Sequence, residues 1–336
     1  MKIVAILGGL GSQMFKYSIY RLLKEQHPLD CYIDTSYFWT AHPWNGYELA
    51  RIFDIREPDI TEKVSQKGLE ALLVKNRPYR DVALRIVKKI SPCKERYIIT
   101  NGQPEKWVIV KGTLWHLKQI LKKILLHIQC TRKILEKKKP MPAPVVFDGF
   151  FEHEYNAAVW SLPGVVYFDE FAHCSDKYFR AIKEDIVSTF HFPDFSDPMN
   201  ITTANDMQGA EAVAIHLRRS DHMYDCASLY ENGYYQRSIN YIKKNTLKPT
   251  FYIFSEDMPW CKGHLEEIGF SPLDRIVFVD WNQGKDSFRD MQLMTYCQHN
   301  IISVSSFGWW GYYLSRREQK LVCAPLGCWH EVPSHL

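Results

Sequence analysis

Two α/β lobes of Rossmann-like construction, facing each other across a cleft, are what this sequence predicts. Three observations carry that expectation. The apolar run Ile3–Leu7 ends in Gly8-Gly9, and Met14, Phe15, Ile19, Leu22 and Leu23 then recur at helical spacing, which reads as strand, glycine turn, helix. A second alternation of short apolar runs and helical patterns begins beyond residue 210. A length of 336 residues, 46% apolar and 24% charged, is long for one core and natural for two.

Taken in order, Cys31–Asp34 continues the first lobe as a strand. Leu114, Leu117, Leu121, Ile124, Leu125 and Ile128 then recur at helical spacing inside the most basic part of the chain, Lys111–Lys139, with nine Lys/Arg against the single acid Glu136. That stretch reads either as a solvated helix or as an amphipathic helix resting on an anionic membrane surface. The segment Pro193–Pro198 has linker chemistry, and it divides the chain into an N-terminal domain, 1–197, and a C-terminal domain, 198–336. In the second series the pattern gives strands at Val213–Leu217, Phe251–Ser255, Ile276–Val279, Ile301–Val304 and Lys320–Ala324. It gives helices at Tyr234–Lys244, Met291–Cys297 and Phe307–Leu314. Such alternation implies parallel sheets.

Composition narrows the function classes. A net charge of +4 carries no global nucleic-acid signature. The nine cysteines are odd in number and lack any C-x-x-C pair, which reads as free thiols in a reducing compartment. The five apolar residues of Ile3–Leu7 are too few for a signal-peptide core, and no segment has the length to span a bilayer. These features make the expected location cytoplasmic, in a bacterium, with contact at the inner membrane if the basic stretch seeks anionic lipid.

Parallel sheets bind ligands at the carboxyl ends of their strands, so the polar residues just after each strand carry the functional reading. His216-Leu217-Arg218-Arg219-Ser220-Asp221 ends one strand. Two adjacent guanidiniums there suit phosphate oxygens, and the competing reading is a surface ion-pair cluster. Ser305-Ser306-Phe307 stands where a strand hands over to a helix, a seat for phosphate or simply a helix cap. Trp309 and Trp310 read as packing. Asp257 follows the strand at Phe254. Asp290 begins a helix, where it either caps the helix or accepts the two N–H donors of a guanine edge. Gly9, Gly11, Ser12 and Gln13 form a glycine loop that fails the G-x-G-x-x-G spacing, because Met14 takes the last glycine's place. No Asp-x-Asp occurs. His330-Glu331-Val332-Pro333-Ser334-His335 has one residue too many for a zinc motif, and no metal site is expected.

The fragments GGLGSQMF, NGYELARIFDI, GFFEHEY, AIHLRRSD, FSEDMPW and RDMQLMTYCQHNIISVSSFGWWGYYL together resemble the α1,2-fucosyltransferases of glycosyltransferase family 11. The resemblance covers 1–60, about 147–156 and 212–330. It implies a GT-B arrangement and GDP-fucose as donor, with no cofactor and no metal. It also implies inverting transfer to the 2-hydroxyl of a galactose-terminated oligosaccharide or lipid-linked glycan. On the matching positions, His216, Arg218 and Arg219 hold the diphosphate. Asp290 binds guanine, and Ser305, Ser306 and Phe307 lie by the β-phosphate and base. The chain departs from the family pattern at Ser12 and Val304, where Asn is usual, and at Gly308, where Ser is common. For the leaving diphosphate, guanidiniums and backbone dipoles must supply the countercharge. Asp221 is the nearest candidate base, with Asp257 second. The competing readings are a transferase for another GDP-sugar or linkage, and a weakly catalytic sugar-nucleotide-binding protein.

Overall fold

The computed structural model describes residues 1–40, 45–73, 78–100, 103–107, 157–169, 176–219 and 229–325. Ten strands form two five-stranded sheets. The first holds β1 (Lys2–Ala5), β2 (Cys31–Asp34), β3 (Arg96–Thr100), β4 (Gln103–Lys106) and β5 (Val165–Phe168), in the order β2-β1-β5-β3-β4. The second holds β6 (Glu211–Leu217), β7 (Pro249–Ser255), β8 (Arg275–Val279), β9 (His299–Ile301) and β10 (Val322–Cys323), in the order β10-β9-β6-β7-β8.

The second sheet is parallel throughout, as the alternation predicts. The first departs from that expectation at its edge, where β4 runs antiparallel to β3. Pro104 sits in β4 opposite Ile99, and an edge strand is where a residue without an N–H is tolerated. The chain enters the second sheet at its centre, β6, and winds outward through β7 and β8. It then returns to the other side of β6 with β9. Strand order reverses between β6 and β9, so the crevice at their carboxyl ends is the topological switch point.

The glycine turn of the first lobe is conformationally required. Gly8 has φ +80°, and a Cβ there would stand 2.9 Å from the Cβ of Ser12. Helix Leu10–Gln26 follows, with Met14, Phe15, Ile19 and Leu23 buried as their spacing predicts. Helix Ser306–Tyr313 follows β9 in the second lobe. The two helices meet. Trp310 Nε1 donates to Gly11 O at 2.9 Å, and the Phe15 ring lies 4.6 Å from that of Trp309 and 5.0 Å from that of Trp310. Phe179 and Phe190 close around Trp310 from the segment between the sheets. Both tryptophans are buried, so their role is packing, and a single apolar core runs through both lobes. Among the described residues no helix is long and apolar enough to cross a membrane, and Lys111–Lys139 lies outside them.

Gly11 marks the tightest point of this junction. A Cβ on it would fall 2.7 Å from the carbonyl carbon of Ser306 and 2.8 Å from Phe307 N. Backbone there has no room to yield, so Gly11→Ala is expected to cost about 1–3 kcal/mol by overpacking. Thermal unfolding of the variant checks this, and an unchanged melting temperature would show that the lobes are not held at Gly11.

Candidate active-site cleft

A cleft of about 730 Å³ lies between the two sheets, within the size range of small-molecule sites. Segments following five strands line it: Leu7–Ser12 after β1, His216 and Arg218 at β6, Ser255, Glu256, Met258 and Pro259 at β7, Asp280 and Asn282–Gly284 after β8, and Val304–Phe307 after β9. The cleft is therefore where the carboxyl ends of both sheets face each other.

One end of the cleft is built for an anion. Helix Leu10–Gln26 starts at Gly9, which offers no side-chain cap, and neither this helix nor Ser306–Tyr313 has an acid in its first turn. Ser305 Oγ accepts only from Phe307 N, at 3.3 Å. Two positive helix ends thus converge without the carboxylates that usually neutralise them. Arg218 adds a guanidinium to the same wall.

His216 stands behind this end, 5% exposed, with Ser303 Oγ 3.2 Å from its Nδ1. Burial, helped by the charge of Arg218, pushes the imidazole down to about 4, so at neutral pH it is uncharged. It packs against Gly308, where a Cβ would stand 2.7 Å from Nδ1. That contact explains why this chain carries glycine at 308.

Elsewhere the cleft is acidic and polar. Asp290 lines it, and burial pushes its carboxyl up to about 7, opposed by a hydrogen bond from Asn282 Nδ2 at 2.9 Å. Across the cleft, Asn45 Nδ2 donates to Gly284 O at 2.9 Å and to Ser287 Oγ at 3.3 Å, joining the lobes. Glu48 is 3% exposed and receives Arg51 Nη2 at 2.6 Å, while burial raises its carboxyl above the ordinary range.

The structure brings Gly9, Gly11, Ser12, His216, Arg218, Asp290, Ser305, Ser306 and Phe307 to the cleft. Three expected site residues are placed differently. Arg219 does not line the cleft. Its guanidinium lies 3.6 Å from the centre of the Trp260 ring and 5.4 Å from that of Tyr230, and Nε donates to Asp257 Oδ2 at 3.1 Å. Asp257 is held by that pair and caps Met258–Gly263 by accepting from Trp260 N, so it too faces away from the cleft. For these two the ion-pair reading of the cluster is the one the geometry realises. Gln13 is fully buried: Nε2 donates to Gly8 O and Gly46 O, both at 2.9 Å, and Oε1 accepts from Glu48 N at 2.9 Å. Its polar atoms are occupied in tying the glycine turn to the Asn45–Glu48 loop. Asp221 lies outside the described residues.

Sequence reasoning missed Tyr37, Asn45, Glu48 and Asn282 as site residues, and it reached Glu256 only as part of the strand-end cluster at Phe254–Asp257; all five also line the cleft. Glu256 follows β7 directly, where the strand-end rule reaches it, and it accepts from Arg219 N. Asn45 and Glu48 stand remote from any strand end of their own, and their mark in the sequence is the fragment NGYELARIFDI, which carries the resemblance without assigning them a role. Among the described residues no cluster of His, Cys, Asp and Glu is placed to hold a metal ion.

Two α/β lobes with the carboxyl ends of their parallel strands turned on one cleft define the GT-B-like class. The family model described as glycosyl transferase family 11 matches residues 111–325, more than half of the chain, and the protein belongs to that family. An alpha-1,2-colitosyltransferase of Escherichia coli is 31% identical over 175 residues, 49% of this chain and 57% of that protein. The galactoside 2-alpha-L-fucosyltransferase SEC1 of Bos taurus is 28% identical over 152 residues, 42% of this chain and 40% of that one. The matches thus span about half the length of these relatives. Among solved structures, the fucosyltransferase NodZ from Bradyrhizobium aligns over 93% of this chain and 90% of its own, at 11% identity and a TM-score of 0.43.

The two arginines should separate by experiment. Arg218→Ala is expected to leave the melting temperature near that of the unaltered protein while abolishing affinity for inorganic pyrophosphate. Arg219→Ala is expected to lower stability by about 1–2 kcal/mol through loss of its ring contacts. Equal loss of pyrophosphate affinity in both, with both folded, would place Arg219 in the anion site after all.

Proposed function

We propose that the protein transfers L-fucose from GDP-fucose to the 2-hydroxyl of a galactose-containing acceptor, with inversion and without a metal ion. The observation that carries this reading is that one cleft is lined both by anion-seeking groups and by a buried carboxylate. The anion-seeking groups are two helix N-termini and Arg218, suited to a diphosphate. The carboxylate is that of Asp290, suited to the N1–H and exocyclic amine of guanine. A nucleoside diphosphate laid along the cleft satisfies both at once.

In this mechanism the bond from the sugar C1 to the β-phosphate oxygen breaks, and its electron pair leaves with GDP. Arg218 and the backbone N–H groups of Gly11, Ser12, Ser306 and Phe307 take up the growing charge. Preorganised donors are the largest catalytic term in such sites, each worth roughly 10²–10³ in rate. The acceptor hydroxyl attacks the opposite face of C1, which inverts the configuration, and its proton passes to a carboxylate. Asp221 is our choice for that base. The N-terminal domain, 1–197, supplies the acceptor side and the C-terminal domain, 198–336, the donor side. The cytoplasmic location, with the basic 111–139 stretch on the inner membrane beside a lipid-linked acceptor, belongs to the same proposal.

A second reading is favoured by one finding, the 31% match to a protein named as a colitosyltransferase. Its donor would keep the GDP half, and Asp290 and Arg218 would act unchanged. Release of GDP from GDP-fucose and from GDP-colitose, over a panel of galactosides, decides between them. Turnover should persist in excess EDTA, and a loss that Mn²⁺ restores would overturn the metal-independent scheme.

Asp290 gives a pH signature. Burial pushes its carboxyl up to about 7, and only the charged form accepts both guanine donors. GDP affinity should therefore rise as pH passes upward through 7, with proton release on binding below that point. Asp290→Ala should weaken GDP by about 1.5–3 kcal/mol, the worth of hydrogen bonds to a charged group, and flatten the profile. Calorimetric titration in two buffers of different ionisation enthalpy measures both. Unchanged affinity in the variant would reduce Asp290 to a helix residue.

A further inference from the structure

Asp290 has no cation to hold it in place among the described residues. Arg289, next in the chain, turns to Pro193 O at 2.6 Å and Gln292 Oε1 at 2.7 Å. Lys262 is engaged by Asp280, at the end of β8, and Arg51 by Glu48 across the cleft. The side-chain donor that reaches Asp290 is an amide, Asn282 Nδ2, at 2.9 Å from Oδ1. What fixes that amide lies behind it.

Asn200 is 2% exposed, and its side-chain amide is fully occupied. Its Oδ1 accepts from Trp281 Nε1 at 2.9 Å and from Asn282 Nδ2 at 3.0 Å. Its Nδ2 donates to Asp197 Oδ2 and to Asn282 Oδ1, both at 2.8 Å. An indole N–H can only donate, and an ionised carboxylate can only accept. Burial works against the ionised form of Asp197, but hydrogen bonds from the Asn200 N–H and side chain hold its carboxyl below the ordinary value, so it is charged. Turning the Asn200 amide over would set NH₂ against the indole N–H and oxygen against the carboxylate. The orientation of Asn200 is therefore dictated by chemistry. Asn282 inherits it: its Oδ1 must accept from Asn200, and its Nδ2 must donate toward Asp290.

We infer that Asn282, oriented by Asn200, is the positioning and specificity-determining residue that presents Asp290 as an acceptor-only group to a base with two adjacent N–H donors. This rests on the guanine-nucleotide reading above. The Asn282 hydrogen bond occupies one lone pair of Oδ1 and leaves the rest of the carboxylate to the cleft. It also favours the charged form against burial. Without it, Asp290 would hold its proton to higher pH and present a donor to a donor. The chain of dependence ends at Asp197 and Trp281, one in the interlobe segment and one after β8, so base recognition is anchored outside the cleft.

Two variants test this. Asn282→Asp keeps the shape and the acceptor for Asn200 but sets an oxygen against Asp290. Asn282→Ala removes the donor and leaves space. GDP binding would be titrated between about pH 5.5 and 8.5, with competition by inorganic pyrophosphate and thermal unfolding of each variant. Both variants should bind GDP about ten-fold or more weakly at neutral pH. The pH at half-maximal affinity should move up by roughly one unit. Pyrophosphate affinity should stay the same, because the anion end is untouched. GDP affinity and pH midpoint equal to those of the unaltered protein would overturn the inference. So would a parallel loss of pyrophosphate, which marks general damage. No GDP binding by the unaltered protein at any pH would instead remove the donor reading and take this inference with it.

Discussion

The cleft exists because two helix N-termini can touch. At Gly11 the backbone of the first lobe comes so near Ser306 and Phe307 that a single Cβ would collide with main chain. Trp310 then bridges back with its indole N–H on Gly11 O. Polar backbone groups at helix starts are ordinarily kept apart by their own positive ends. Here the aromatic cluster of Phe15, Phe179, Phe190, Trp309 and Trp310 buries enough apolar surface to hold them together. The outcome is a pocket of positive potential, to which Arg218 contributes while His216 stays neutral.

From that junction the rest of the site is arranged by hydrogen bonds within the N-terminal lobe and between the lobes. Gln13 ties the Gly8 carbonyl to the Gly46 carbonyl and the Glu48 N–H. Asn45, in the same loop, reaches Gly284 and Ser287 of the second lobe. The anion end and the base end are therefore linked through one loop of the N-terminal lobe. A shift of that loop moves both ends together.

Much of this was legible in the sequence, and the limits have physical causes. The second sheet was readable because each of its strands is a short apolar run, and all five ended within three residues of expectation. Observed helix Phe288–Met294 begins three residues before the expected Met291, because Phe288 buries on the neighbouring lobe and prolongs the pattern N-terminally. Strands β3, β4 and β5 were not anticipated. β5 pairs with β1 and β3 across more than sixty residues of chain, and local periodicity carries no information about such partners, while β3 and β4 are short strands of a local hairpin with little alternation to mark them. In the site, strand-end residues were found by rule, while the fates of Arg218 and Arg219 were not separable. Adjacent residues beyond a strand point to opposite sides, and only the position of Trp260 and Asp257 decides which guanidinium is captured.

That capture bears on function. With Arg219 clasped by Trp260, Tyr230 and Asp257, the chain is anchored at Arg219, two residues beyond β6. Glu256 fastens it again by accepting from the Arg219 backbone N–H. Arg218, one residue earlier, is thereby presented to the cleft from a fixed backbone rather than from a mobile loop. A long guanidinium side chain loses considerable entropy on binding an anion. Fixing its base lowers the part of that cost due to the backbone, so the paired cluster serves the anion end even though only one member faces it. The same logic recurs at Asp290, where Asn200 and Asn282 fix a carboxylate with no cation beside it among the described residues. Both parts of the cleft are thus set by residues that stand behind the surface a ligand would touch.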